Sequence, residues 1–193
     1  ICAVIGDSTF LHSGIGPLMD AVYNGGYSTT LILDNRITAM TGQQEHPGTG
    51  YTITGDAAPA VDYEQLVKAL GVSHVRTVDP YNIKETLEII REEANRDAAS
   101  VIISKNCPCM LLRRNKPRER FRHSFFLIDE ENCTGCGRCL EIGCPAIQWK
   151  PLPGISRIGR KRKGTVFIYR DQCVGCEVCR QICEFESIIP QER

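Results

Sequence analysis

The cysteines are the residues whose type and spacing point most directly to chemistry. Eleven of the 193 residues are cysteine, and eight of these form two tandem copies of one pattern, Cys-x-x-Cys-x-x-Cys followed by a fourth cysteine. A cubane cluster presents each of its four irons to one thiolate, and cysteines three residues apart can wrap three of those corners. The pattern therefore predicts two [4Fe-4S] clusters, with ligands among Cys133, Cys136, Cys139, Cys144, Cys173, Cys176, Cys179 and Cys183.

The fourth ligand of each cluster is expected to come from the other copy. In bacterial two-cluster ferredoxins the last cysteine of each run ligates the other cluster. This rule groups Cys183 with the first triplet and Cys144 with the second. Zinc is the alternative metal, but its sites use paired cysteines, and triplets repeated in tandem have no obvious use there.

Composition limits the other classes of function. The chain has 23 basic and 23 acidic residues, so its net charge favours neither nucleic acid nor a membrane surface as a partner. No stretch approaches the ~18 apolar residues of a membrane span. Clustered ligand cysteines need a reducing compartment, which predicts a cytoplasmic protein.

Cys2 is expected in a strand core, and Cys107 and Cys109 are expected to be buried thiols.

A second candidate site lies near the N-terminus, where polar residues follow two predicted strands. Gly6-Asp7-Ser8-Thr9 follows the strand 2–5, and Asp34-Asn35 follows the strand 29–33. Open α/β sheets bind ligands at the carboxyl ends of their strands, and two hard oxygen ligands from adjacent strand ends suit Mg²⁺ with a diphosphate. The alternative is purely structural, with Asp7 capping a helix and Asn35 making a turn.

The remaining pattern predicts strands alternating with helices. Residues 6–16 are expected to form a loop and residues 36–62 a long functional loop, and helix 83–94 is expected to bury a stripe containing Leu87, Ile90 and Ala94. The fold class is therefore α/β, a doubly wound parallel sheet, followed by a small α+β ferredoxin-like domain. The expected segments are a cofactor domain 1–112, a basic linker 113–124 and a two-cluster domain 125–193, with 155–169 as an insertion between the cysteine copies.

Three stretches together resemble a known family. GDSTFLHSGIGPL, LILDNRITAMTGQQEHPGTG and the C-terminal cysteine pattern are similar to the α subunit of indolepyruvate ferredoxin oxidoreductase. Gly6-Asp7-Ser8 through Asp34-Asn35 also resembles the thiamine diphosphate motif, with Ser8 and Asp34 as departures from its usual residues. The resemblance covers nearly the whole chain, and the absence of an initiator Met suggests a fragment or a processed chain.

The resemblance implies a set of site residues. Mg²⁺ would be held by Asp7, the Asn35 side chain and the Ile37 carbonyl, and the residues close to the diphosphate of thiamine diphosphate would be Gly6, Ser8 and Thr9. His12 and His46 lie in the matching segments and are candidates for contact with substrate or cofactor.

The resemblance also implies a reaction and its partners. The reaction is the oxidative decarboxylation of an aryl 2-oxoacid with coenzyme A, giving an acyl-CoA, carbon dioxide and reduced ferredoxin. The resemblance implies an external ferredoxin as the electron acceptor. It also implies a second oxidoreductase subunit, because this chain shows no pyrimidine-binding domain with the activating Glu. Two alternatives stay open: a related enzyme for pyruvate or 2-oxoglutarate, and a non-catalytic electron-transfer module.

Overall fold

A computed structural model describes residues 1–105 and 124–192, and the chain divides into two compact units, Ile1–Lys116 and Pro117–Arg193. Cys107 and Cys109 lie outside the described residues, as does the expected basic linker except for its last residue. In the described part of the chain, no helix is long and apolar enough to cross a membrane.

The first unit is built on a parallel four-stranded sheet in the order β1-β2-β4-β3, which confirms the α/β prediction. All four strands end in register at their carboxyl ends, so Gly6, Leu33, Ser104 and Val78 lie in one row. Parallel pairing follows from the helical segments that connect the strands. The strands are β1 (Cys2–Gly6), β2 (Thr29–Leu33), β3 (His74–Val78) and β4 (Ser100–Ser104).

Two of the helices, Tyr63–Ala69 and Ile83–Ala94, begin after a residue whose side chain caps them. Asp62 accepts a hydrogen bond from the Gln65 amide at 3.1 Å, and Asn82 accepts one from the Glu85 amide at 3.5 Å. The loop predicted for 6–16 is wrong, because the chain turns helical at Asp7. The helices are α1 (Asp7–Thr9), a π-helical turn (Phe10–Gly14), α2 (Ile15–Tyr23), α3 (Tyr63–Ala69) and α4 (Ile83–Ala94).

The central strand β4 contributes to cores on both faces of the sheet. Val101 and Ile103 pack with the residues of α2 and α3, while Ile102 packs with Val78 and Ile89 on the opposite face. Alternate side chains of a strand point to opposite faces, and all five residues of β4 are buried. The sheet is therefore covered on both sides, as a doubly wound arrangement requires.

Two burial predictions for this unit are wrong. Cys2 is exposed, because β1 is an edge strand of the described sheet with β2 as its one neighbour there. On α4 the buried residues are Ile89 and Glu93, whereas Leu87 is 45% exposed. Glu93 can be buried because Arg96 donates to both of its carboxylate oxygens, at 2.7 and 3.1 Å.

The second unit consists of two antiparallel strand pairs around an apolar core. β5 (Ser124–Ile128) pairs with β8 (Ile188–Glu192), and β6 (Ile147–Ile155) pairs with β7 (Lys161–Ile168). The predicted insertion 155–169 is therefore largely a hairpin strand. A 3₁₀ helix (Arg138–Ile142) and α5 (Val178–Ile182) each contain the third cysteine of one triplet, Cys139 and Cys179.

The two cysteine copies have the same backbone frame. The Cys133 amide donates to the Asp129 carbonyl at 3.0 Å, and the Cys173 amide donates to the Tyr169 carbonyl at 2.9 Å. Gly135 has a φ of +69°, which matches the +69° of Gly175 in the second copy. Duplicated sequence has thus produced duplicated structure.

Candidate functional site

Asp7 lies at the carboxyl end of β1 and is 2% exposed. Its Oδ1 accepts from the Ser8 amide at 2.8 Å, and its Oδ2 accepts from the Arg36 amide at 2.9 Å. Two backbone amides therefore fix the orientation of this carboxylate. An ionised carboxylate has about four lone-pair sites, so Asp7 retains capacity to bind a cation.

The turn after β2 brings the other predicted magnesium ligands to the same place. The Asn35 side-chain oxygen accepts from the Ile37 amide at 3.0 Å, which folds these residues into a tight turn. Arg36, in the middle of this turn, has a φ of +62°, and its amide is the one that reaches Asp7. Carboxylate, amide and carbonyl oxygens are the ligand types that Mg²⁺ prefers, so the donor set fits this ion.

Hydroxyl groups lie beside this turn. The Thr38 hydroxyl donates to the Ser8 hydroxyl oxygen at 2.7 Å, which ties the loop after β2 to the start of α1. Gly6 has open space where a Cβ would lie. Thr9 is exposed, and its carbonyl accepts from the Ser13 hydroxyl at 3.2 Å.

His46 is buried against Asp7. Its Nε2 lies 3.3 Å from Asp7 Oδ2 without the alignment of a hydrogen bond, while its Nδ1 accepts from the Gly48 amide at 3.1 Å. An accepting Nδ1 places the proton of the neutral ring on Nε2, facing the carboxylate. His12, by contrast, is exposed on the π-helical turn, and no contact described here links it to Asp7.

Tyr63 was not singled out as a site residue from the sequence, whereas Asp34 stands in the Asp34-Asn35 segment of the predicted site. The Tyr63 hydroxyl is buried without a hydrogen-bond partner among the described residues, and a Cβ on Gly48 would lie 2.3 Å from it. Burial first, and then the charges of Asp7 and Asp34, raise the pKa of Tyr63. Tyr63 begins a helix after the Asp62 cap, and only the folded loop brings it beside Gly48.

Asp34 is the second unsatisfied group. Arg36 Nε lies 3.3 Å from Asp34 Oδ1, yet neither carboxylate oxygen has a hydrogen bond within the described structure. Burial is the main cause that raises the pKa of Asp34, and Arg36 opposes it. Buried polar atoms without a hydrogen bond are expected where a ligand completes the site.

The cysteines of the second unit fall into two groups in space. Cys183 lines one cavity together with the first triplet, Cys133, Cys136 and Cys139. Burial first, and then Cys136, Cys133 and Cys183, raise the pKa of the Cys139 thiol to about 11.

Cys144 belongs with the second triplet. Burial first, and then the thiolates of Cys176, Cys173 and Cys144, raise the pKa of Cys179 to about 12. The nine cysteines in the described ranges are all free thiols. Crowded thiolates repel one another, so a bound metal must supply the positive charge that lets all of them ionise.

The first cysteine group lines a cavity, and neither group converges on a point. Across residues 1–105 and 124–192, no three His, Cys, Asp or Glu side chains lie close enough to hold a single metal ion. A cubane cluster needs one thiolate at each of four separate irons, whereas zinc needs four ligands at about 2.0–2.3 Å from one ion. The arrangement fits a cluster better than it fits zinc.

Two family models match the chain. The model of the thiamine pyrophosphate enzymes, C-terminal TPP-binding domain, matches residues 1–104, where thiamine pyrophosphate is another name for thiamine diphosphate. The model of a 4Fe-4S binding domain matches residues 124–146, which include the first cysteine triplet. Each family match falls within one of the two compact units of the chain.

Relatives match over nearly the whole chain. Indolepyruvate oxidoreductase subunit IorA of Archaeoglobus fulgidus is 39% identical over 191 residues, and that of Methanothermobacter thermautotrophicus is 40% identical over 195 residues. These alignments cover 98% and 99% of this chain but 28% of each relative, so the chain spans little more than a quarter of their length. Ferredoxin-3 of a Nostoc species is 33% identical over 64 residues, which are 29% of this chain and 66% of that protein. The chain belongs to the thiamine pyrophosphate enzyme family through its C-terminal TPP-binding domain, here followed by a 4Fe-4S binding domain as in part of IorA.

Proposed function

We propose that this chain is part of a 2-oxoacid:ferredoxin oxidoreductase that acts on an aryl pyruvate such as indolepyruvate. The reaction would consume coenzyme A and yield an acyl-CoA, carbon dioxide and reduced ferredoxin. The observation that carries the proposal is the union, within one chain, of a TPP-binding domain and two groups of four cysteines. The similarity to IorA over nearly the whole chain supports the choice of substrate.

In this proposal the first unit binds Mg²⁺ and thiamine diphosphate. Asp7, the Asn35 side chain and the Ile37 carbonyl hold the metal, and Gly6, Ser8 and Thr9 lie next to the diphosphate. When bound, thiamine diphosphate supplies the electron sink that permits loss of carbon dioxide from a 2-oxoacid. The protein's part is to hold the carboxylate and amide oxygens at one edge of the sheet.

His46 acts on Asp7 and not on the substrate. Its Nε2 faces the Asp7 carboxylate at 3.3 Å, and the Gly48 amide fixes the ring from the other side. A buried imidazole 3.3 Å from a ligating carboxylate limits the directions in which that carboxylate can point, a role that outer-shell residues of metal sites commonly have. The histidine that the resemblance offers as a catalytic candidate is thus assigned a positioning role. His12 stays a candidate for substrate contact on the ground of its exposure alone.

The second unit carries electrons away. Ferredoxin accepts single electrons, and two [4Fe-4S] clusters suit a two-electron oxidation that must be divided into one-electron steps. One cluster is held by Cys133, Cys136, Cys139 and Cys183, and the other by Cys144, Cys173, Cys176 and Cys179. The remaining parts of the enzyme, a second subunit and the source of the activating Glu, lie on other polypeptide segments, and the protein works in the cytoplasm with an external ferredoxin.

The proposal is tested first by metal and sulfide analysis of the anaerobically purified chain. Two clusters require about eight iron and eight sulfide per chain. Tight zinc without the visible absorption of iron–sulfur clusters would refute the cluster assignment.

Cofactor binding is tested by equilibrium dialysis of thiamine diphosphate with Mg²⁺. Asp7→Ala should lose binding, while Asp20→Ala, which changes an exposed acid on α2, should bind as the unchanged chain does. Equal binding by both variants would refute the placement of the metal. Turnover of indolepyruvate, pyruvate and 2-oxoglutarate by the complex with its partner subunit decides the substrate.

A further inference from the structure

The two cysteine groups share a backbone frame but differ in the side chains that surround them. The Asp129 amide donates to the Ser187 carbonyl at 2.8 Å, and the Tyr169 amide donates to the Ala146 carbonyl at 2.8 Å. Asp129 and Tyr169 are the equivalent residues that also accept from the first cysteine of each triplet. Ser187 and Ala146 are therefore equivalent positions of the internal repeat.

Two hydroxyl groups lie at the first cysteine group. Ser187 Oγ is 3.1 Å from Cys183 Sγ, and Ser187 is 3% exposed. The Thr134 hydroxyl is buried without a hydrogen-bond partner in the described residues. Both residues line the cavity that Cys133, Cys136, Cys139 and Cys183 surround. When Cys183 is a thiolate, it has no proton to give, so Ser187 must be the donor.

The second cysteine group has aliphatic residues at the equivalent positions. Val174 stands in Cys173-Val-Gly-Cys176 where Thr134 stands in Cys133-Thr-Gly-Cys136, and Ala146 replaces Ser187. Ala146 is 1% exposed, so water does not take the place of the missing hydroxyl. The two copies of the repeat therefore have the same loop backbone, and only the first has hydroxyl donors at these two positions.

Hydrogen bonds to the sulfurs of a cluster stabilise its reduced form. One-electron reduction adds a negative charge that spreads over the sulfurs, and a donor aimed at them binds the more negative state more strongly. Two further differences act in the same direction. Glu177 adds a negative charge to the second loop where the first has Gly137, and Cys136 is exposed where Cys176 is only half-buried.

We propose that the cluster held by Cys133, Cys136, Cys139 and Cys183 has the higher reduction potential, because Ser187 and Thr134 donate to its sulfurs. A cluster held by these four cysteines would be reduced at a higher potential than one held by Cys144, Cys173, Cys176 and Cys179. The inference rests on the proposed function, since it needs both clusters to be present. Ser187 and Thr134 are positioning residues that tune the cluster, not ligands.

The test is a redox titration of the whole chain, loaded with iron and sulfide, with dithionite as the one-electron donor and electron paramagnetic resonance as the readout. Iron and sulfide contents are measured first, so that a failure of the two-cluster assignment is seen separately. Ser187→Ala and Thr134→Val remove the hydroxyls from the first site. Ala146→Ser and Val174→Thr install them at the second.

Ser187→Ala should lower the higher of the two potentials. The expected size is up to about a tenfold change in the reduced-to-oxidised ratio at fixed applied potential, equivalent to about 59 mV for one electron. Val174→Thr should raise the lower potential and leave the higher one in place. The proposal would be overturned if both clusters are intact and neither Ser187→Ala nor Thr134→Val changes the higher potential. It would also be overturned if Ser187→Ala shifts the lower potential. If the first-site variants lose iron, movement of the lower potential in Ala146→Ser or Val174→Thr decides, and its absence overturns the proposal.

Discussion

Gly135 lies where the first cysteine loop packs against β7 of the β6–β7 hairpin, and replacing it tests how the loop is positioned. Gly135 has a φ of +69°, and an added Cβ would lie 2.3 Å from the Gly164 carbonyl oxygen and 3.2 Å from the Arg162 Cβ. Real Cβ atoms essentially never approach within 3.0 Å of another atom, so the loop or the strand must shift. Either shift displaces the cysteines on both sides of Gly135.

Gly143 provides a matched control. Its φ is also +69°, but an added Cβ would have no heavy atom within 4 Å. Gly143→Ala therefore costs only the left-handed conformation, about 1–2 kcal/mol. Gly135→Ala adds an overpacking cost of about 1–3 kcal/mol, so the total is about 2–5 kcal/mol.

The assay is anaerobic guanidinium unfolding followed by circular dichroism, together with iron content per chain. Gly135→Ala should unfold at the lower denaturant concentration and retain less iron than Gly143→Ala. Equal midpoints and equal iron in the two variants would show that the contact with Gly164 does not position the loop.

Three further perturbations follow from the same structure. Gly48→Ala should weaken binding of thiamine diphosphate with Mg²⁺ in equilibrium dialysis, because the new Cβ would lie 2.3 Å from the Tyr63 hydroxyl. Gly16→Ala is the control, since its Cβ would lie in open space, and it should bind as the unchanged chain does. An equal loss of binding in the two variants would refute the reasoning. Phe126→Ala should lower the free energy of unfolding by about 3–5 kcal/mol in guanidinium denaturation, since Phe126 is 1% exposed, and a loss below about 1 kcal/mol would contradict its place in the core. Removing iron should make residues 124–192 sensitive to protease while the first unit stays resistant, because cluster binding is coupled to folding, and an equally resistant second unit would contradict that coupling.

The sequence predicted the strands better than the burial of their residues. β4 is a run of apolar residues between polar ends, and it became the central strand, buried on both faces. β1 has the same apolar character but lies at the edge of the described sheet. The composition of a strand does not reveal its position in the sheet, so the exposure of β1 could not be predicted from its residues. Glu93 was missed as a core residue because its burial depends on Arg96, a partner that hydrophobic periodicity does not register.

The candidate site was predictable where motif spacing reflects geometry. Asp7 and Asn35 are 28 residues apart in the sequence, but they follow strands that pair in register. The segments that contain them therefore lie next to each other at the carboxyl edge of the sheet. The extension of helix down to Asp7 was not predictable, since Gly, Ser and Thr in that segment favour a loop locally. Tyr63 and Gly48 meet only because the loop between β2 and α3 folds back, and no local pattern encodes that contact.

The exchange of fourth cysteines between the copies orders events during synthesis. The cavity that Cys183 shares with the first triplet cannot be complete until the ribosome has made residue 183, whereas Cys144 waits only for Cys179. At about 5–20 residues per second, the first triplet stands without its last ligand for roughly 2–9 s after Cys139 is made. If each group holds a cluster, as proposed, the second ligand set is complete four residues before the first. The first triplet must then be kept from oxidation or wrong metals until Cys183 emerges.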